Sequence, residues 1–132
     1  MGLVSAYQRW KSSFLPENRN VVWSVRTDES GFMLVRRSDA GEECTTFRWK
    51  DIIRVHGYKR DCFTVDQIRL VFTFDGGSAI EITEDDEGYK ELLLELPKRL
   101  YGFPTQQEWW EKVAQPPFAT NWIRLFQRVG EQ

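Results

Sequence analysis

Asp61 and Asp66 stand within the densest polar stretch of the chain, Tyr58-Lys59-Arg60-Asp61-Cys62-Phe63-Thr64-Val65-Asp66. Two carboxylates at such spacing can share acid–base work, provided a second kind of catalytic group or a metal ligand set stands beside them. The stretch supplies neither. Cys62 lies near Lys59 and Arg60, which favour a thiolate, yet no His–Cys arrangement accompanies it. His56 is the only histidine and sits in an alternating strand pattern, where a structural role is the simpler reading. Cys44 and Cys62 have no C-x-x-C spacing, so a zinc site is not expected. P-loop, G-x-S-x-G, H-E-x-x-H and G-x-G-x-x-G patterns do not occur in the sequence. The expectation is a protein without catalytic residues, cofactor or metal.

The same residues read better as contacts. Tyr58, Lys59, Arg60, Asp61, Phe63 and Asp66 combine both charges with two aromatics in a connection longer than a hairpin needs. It reads either as a solvated loop with Asp66 capping a turn or as a partner-contact loop on a rigid scaffold. Trp109 and Trp110 are adjacent in a helical pattern, so their side chains point ~100° apart. One ring is expected inside and the other over the tail or exposed as an anchor. The acidic run Glu84-Asp85-Asp86-Glu87 is expected to complement the positive end of a helix, with binding of a cation or a basic partner as the alternative.

The bulk properties narrow the class. The chain has 132 residues and a net charge of −2, which sets aside dedicated nucleic-acid binding, since that requires a basic excess. Residues 1–60 carry 11 basic and 7 acidic groups, residues 61–132 carry 7 and 13. Either folding interleaves the halves or the protein has one basic and one acidic face suited to a charged partner. No run approaches the ~18 apolar residues of a membrane span, and the first residues lack a signal-peptide pattern. A cytoplasmic protein with free thiols is expected, without stable membrane insertion. Aromatic residues reach 14%, enough to give a small fold a firm core or to form a recognition surface.

The elements that must position these residues follow from periodicity. A short helix is expected within residues 1–19, where Tyr7, Trp10 and Phe14 recur at helical spacing before Pro16. Residues 20–83 read as six antiparallel strands in a meander. Trp23 and Val25, then Phe47 and Trp49, then Ile68, Leu70, Phe72 and Phe74 fall on alternating faces, with turns at Asp28-Glu29-Ser30-Gly31, Ser38-Asp39-Ala40-Gly41 and Asp75-Gly76-Gly77-Ser78. The period then changes to helical over residues 84–101, with Tyr89, Leu93, Leu96 and Leu100 as the buried stripe and Pro97 ending or kinking the helix near Leu96. Thr105-Gln106-Gln107-Glu108 is a capping box that opens a helix through Ala114. Residues 104–132 are expected to form a Trp-rich helical tail, whose Phe118, Trp122, Leu125, Phe126 and Val129 pack back on one domain spanning 1–132.

The stretch Trp49-Lys50-Asp51-Ile52-Ile53-Arg54-Val55 resembles the W-x-D-I-x-x-V strand pair of the pleckstrin-homology superfold and its bacterial PH-like and GRAM-like relatives. The resemblance covers roughly residues 20–100. It implies an α+β, PH-like fold: a bent antiparallel sheet or partial barrel of six to seven strands, capped by a C-terminal amphipathic helix, with the Trp and Ile packed inward. Phosphoinositide binders of that superfold use a basic loop between strands one and two. Here the loop is Thr27-Asp28-Glu29-Ser30-Gly31, which is acidic.

The functional expectation is a non-enzymatic protein-binding module. One concrete form is an immunity-type protein that occludes a cognate toxin, with acidic groups standing in for substrate phosphates. A lipid or small-molecule binder and a self-associating domain, for instance a homodimer, are the competing classes.

Overall fold

The computed structural model describes residues 21–62, 65–114 and 122–128. The helix expected within residues 1–19 lies outside them. Among the described residues, seven strands form two antiparallel sheets. The first sheet is a meander of β1 (Val22–Thr27), β2 (Gly31–Ser38) and β3 (Gly41–Arg48). The second has the order β6-β5-β4-β7, from β4 (Ile52–Cys62), β5 (Val65–Phe74), β6 (Ala79–Thr83) and β7 (Ile123–Gln127). Among the described residues two helices complete the order, α1 (Tyr89–Arg99) and α2 (Gln106–Ala114).

Each expected turn is built from side chains suited to it. Asp28 closes the β1–β2 connection by accepting from the Ser30 N–H at 2.8 Å, the Ser30 hydroxyl at 2.9 Å and the Gly31 N–H at 3.0 Å. Gly76 and Gly77 both take positive φ, 98° and 90°, in the turn between β5 and β6.

The meander breaks after β3. A short 3-10 turn, Trp49–Asp51, carries the chain from the first sheet to the second. The Trp49 N–H reaches the Ser30 carbonyl at 3.1 Å, and its indole N–H reaches the Asp28 carbonyl at 3.1 Å. Trp49, Ile52 and Val55 are all buried, so the residues of the W-x-D-I-x-x-V stretch pack inward.

A second joint closes the opposite side. The Val25 N–H donates to the Glu87 carbonyl at 2.7 Å, and the Glu87 N–H donates to the Trp23 carbonyl at 3.3 Å. The connection from β6 to α1 thus covers the free edge of β1. Gly88 makes this approach possible. Its φ is 87°, and a Cβ there would sit 1.9 Å from the Val25 carbonyl oxygen.

The helix begins later than the acidic run suggests. Glu84-Asp85-Asp86-Glu87 forms the turn before α1 and fastens it to β5. Glu84 accepts the Ile68 N–H at 2.8 Å, Asp86 accepts the Thr83 N–H at 3.0 Å, and Asp85 accepts from the Gln67 amide. These acids are spent on strand ends and a neighbouring amide, which stops the helix from reaching back to residue 84. α1 also runs past Pro97 to Arg99. The ring removes only one late hydrogen bond, and the Leu100 N–H still closes the last turn on the Leu96 carbonyl at 2.9 Å.

The largest departure is the tail. Trp122, Leu125, Phe126 and Val129 recur at helical spacing, yet Ile123–Gln127 is a strand. It pairs with β4 so that Val55 faces Phe126 and His56 faces Arg124, leaving Leu125 as an extra residue. That irregularity lets both Leu125 and Phe126 face the interior, which erases the strict alternation a strand normally shows. The unpaired edge of an 11-residue β4 outweighs the local helical pattern, because each backbone group left there is a lost hydrogen bond. Arg128 then locks the junction. Its backbone N–H reaches the Ile53 carbonyl at 2.8 Å, and its guanidinium reaches the carbonyls of Ile52 and Trp49, both at 2.9 Å.

One core cluster takes Val25, Phe32, Leu34 and Phe47 from the first sheet and Val55, Leu70, Phe72 and Ile82 from the second. It continues into Leu92 and Leu96 of α1, Trp109 of α2 and Phe126 of β7. The fold is α+β and dominated by antiparallel sheet. No helix among the described residues is long and apolar enough to cross a membrane.

Candidate binding surface

Alternation along β4 separates its residues into two sets. Val55, Gly57 and Lys59 face the core side, opposite Phe72, Leu70 and Ile68 of β5. Arg54, His56 and Tyr58 occupy the other face, opposite Thr73, Val71 and Arg69. The polar stretch expected to be a connecting loop is therefore mostly hairpin arm. Tyr58, Lys59, Arg60 and Asp61 belong to β4, Asp66 belongs to β5, and Asp61 pairs with Asp66 in register. Phe63 lies outside the described residues. Backbone pairing extends the two strands because their outward residues can be polar without interrupting the ladder.

Tyr58 and Lys59 are buried, so neither stands at a loop tip. The Tyr58 hydroxyl donates to Glu81 Oε1 at 2.6 Å. The same oxygen receives Arg69 Nη1 at 3.1 Å, and Arg69 Nε donates to Gln67 Oε1 at 2.8 Å. Arg69 and Glu81 are only 5% and 7% exposed. A buried ion pair needs such additional hydrogen bonds to offset its desolvation. The alternation of β5 and the short Asp75–Ser78 turn already put Arg69 and Glu81 on one face. That is the sequence signal for the pair.

Tyr58 supports a second feature. The Trp122 ring lies flat on the Tyr58 ring, with centroids 4.3 Å apart and planes 8° from parallel. His56 meets the same indole edge-on at 6.1 Å. Trp122 nevertheless remains 58% exposed. Arg124, exposed on β7, is the register partner of His56, and half-buried Arg54 lies two residues away on the same face of β4. Partial burial lowers the His56 pKa, and the charges of Arg54 and Arg124 lower it further. No carboxylate among the described residues orients His56, so the histidine lacks the partner that general-base work would require. No three His, Cys, Asp or Glu side chains among the described residues group closely enough to share a metal ion.

The adjacent tryptophans divide as helical geometry requires. Trp109 is 2% exposed and belongs to the core, while Trp110 is 46% exposed. The capping box is formed: Thr105 N–H donates to Glu108 Oε1 at 2.8 Å, and the Glu108 N–H points back to Thr105 Oγ1 at 3.4 Å. α2 packs on β4 and β7.

The structure therefore brings Tyr58 together with Trp122, His56, Arg69 and Glu81, and it separates Trp109 from Trp110 by burial. Trp122, Arg54 and Arg124 were not among the expected site residues, because their grouping depends on β7 joining β4. Comparison with known protein families, with curated proteins and with solved structures finds no match to this chain.

Proposed function

We propose that this chain is a non-enzymatic protein-binding module whose contact surface is centred on Trp122. The observation that carries the reading is the parallel stack on Tyr58, which fixes one face of the indole while more than half of the residue stays in solvent. An exposed tryptophan held in place has little conformational entropy left to lose on binding, and tryptophan is the residue most enriched at binding hot spots. Tyr58 is itself held by Glu81 and Arg69, so the platform under the indole is rigid. Trp110 supplies a second exposed ring. An immunity-type protein that occludes a toxin is the narrower form of this reading.

The test is affinity capture with the intact chain and with Trp122→Ala, whose folding is checked by circular dichroism. The expected result is one dominant protein partner that the folded variant fails to hold. For the narrower form, that partner is a toxin whose activity the chain blocks. Capture of no protein, together with retention on vesicles of acidic lipid, overturns the reading in favour of a lipid binder. A dimer in light scattering that Trp110→Ala or Trp122→Ala dissolves, with no other partner, overturns it in favour of self-association.

A further inference from the structure

We infer that Arg54, His56 and Arg124, grouped beside Trp122 on the outer face of the second sheet, form a docking site for an acidic segment of a partner protein. The inference rests on the protein-binding reading above and names the chemistry of the partner.

Local charge favours an acidic partner. Arg36, Arg37, Arg69 and Arg99 each meet a glutamate within the fold, at 3.3, 3.2, 3.1 and 2.9 Å. Among the described residues, Arg54 and Arg124 have no such carboxylate. They are brought to one place by the pairing of β4 with β7, with His56 between them in register. On the neighbouring β5, the residue opposite His56 is Val71 and the residue opposite Arg54 is Thr73, so that strand adds no negative charge there. The chain as a whole carries −2, which makes a two-arginine group without its own acids a local reversal of sign. A partner carboxylate placed there forms charge-assisted hydrogen bonds, and a guanidinium can hold it through two N–H groups at once.

The neighbouring indole adds an apolar contact. Trp122 gives the site an apolar wall beside the cations. A protein segment that alternates acidic and apolar side chains satisfies both features. A nucleic acid fits less well. Its affinity grows with the number of phosphates neutralised, and two arginines in an acidic chain neutralise few.

The test uses the full chain and a synthetic peptide of alternating Glu and Leu, with a Lys-and-Leu peptide, oligothymidylate and acidic-lipid vesicles as comparators. Binding is read by Trp fluorescence, and the His56 titration is read by NMR. The expected result is selective binding of the Glu peptide that weakens with salt and raises the His56 pKa, since a nearby carboxylate favours the imidazolium. Arg124→Glu and the double variant Arg54→Gln/Arg124→Gln are each expected to weaken it by about tenfold or more, in line with the cost of a lost charged contact. Both variants should keep the native circular dichroism spectrum. Equal binding of the Glu and Lys peptides, no binding of the Glu peptide, or no loss in a folded Arg124→Glu chain overturns the inference. Tighter binding of oligothymidylate or of vesicles overturns it in favour of those ligands. If a captured partner is lost with Trp122→Ala but kept with Arg124→Glu, the protein-binding reading stands and the acidic-partner inference falls.

Discussion

The hydroxyl of Tyr58 donates to Glu81 at 2.6 Å across three strands of the second sheet, and this contact links the buried charge pair to the exposed aromatic stack. Tyr58 touches Glu81 with its polar end and Trp122 with its ring face. A single residue therefore fixes both the buried network and the candidate anchor.

Removing one member of the buried pair should be severe. Arg69→Ala or Glu81→Ala leaves a buried charge without this ion pair, and the expected loss is about 3–5 kcal/mol. Tyr58→Phe removes one hydrogen bond to a charged group and should cost roughly 1.5–3 kcal/mol. The combination Tyr58→Phe/Arg69→Met/Glu81→Leu should lose less than either alanine variant, because both charges of the pair are removed together. Urea unfolding of the variants checks the order.

Gly88 and Gly76 both have positive φ, yet they should differ sharply on substitution. Gly76→Ala meets open space, so the expected cost is only the left-handed backbone penalty, about 1–2 kcal/mol. Gly88→Ala adds a clash with the Val25 carbonyl and opens the joint between β1 and the turn before α1. Its loss should clearly exceed that of Gly76→Ala, measured as a shift in denaturation midpoint. Weakened amide protection at Val25 would locate the damage.

The adjacent tryptophans make a controlled pair. Trp109→Ala empties a core position and should cost about 3–5 kcal/mol. Trp110→Ala changes an exposed face and should stay within about 0.5 kcal/mol. Thermal unfolding of both variants checks the contrast. Equal losses would show that Trp110 is also packed.

Asp28 and His56 shape the expected response to acid in different ranges. The Ser30 hydroxyl, then the Ser30 and Gly31 N–H groups, hold the Asp28 carboxyl below its ordinary 3.8. Its contribution is therefore present above that value and is lost as pH falls through the lower folded pKa. Asp28→Asn should flatten this acid limb. His56 is also lowered, from 6.5, by burial and then by Arg54 and Arg124. Below 6.5 the unfolded chain takes up a proton that the folded chain resists, so stability declines from there toward the lower folded pKa. His56→Gln should remove that second decline. Urea midpoints measured from pH 7 downward separate the two, since they act in different ranges.

Local chemistry was legible wherever it is settled within a few residues. The Asp28 turn, the paired glycines at 76 and 77, the capping box at Thr105 and Glu108, and the stripe of Tyr89, Leu93, Leu96 and Leu100 all follow from neighbouring side chains and the period of the pattern. Leu92 joins that stripe, because a helix packed on a sheet buries more than one line of residues. The inward set of β5 was equally clear, since strict alternation has one reading.

Contacts far apart in sequence decided the rest. Within the polar stretch, residues 58–62 and 65–66 became strand because β4 and β5 could continue pairing, a gain in backbone hydrogen bonds that composition does not display. The acids before α1 were drawn to β5, and the helix start moved to Tyr89. Within the tail, Ile123–Gln127 became a strand because β4 offered an open edge, and the extra residue at Leu125 hid its alternation under a helical spacing. By itself the sequence determined the apolar faces of β5 and α1 and the turns at 28–31 and 75–78, since hydrophobic period and turn chemistry are local. Only the tertiary structure set Trp122 on Tyr58 and Arg124 beside His56, because that pairing joins residues more than 60 positions apart.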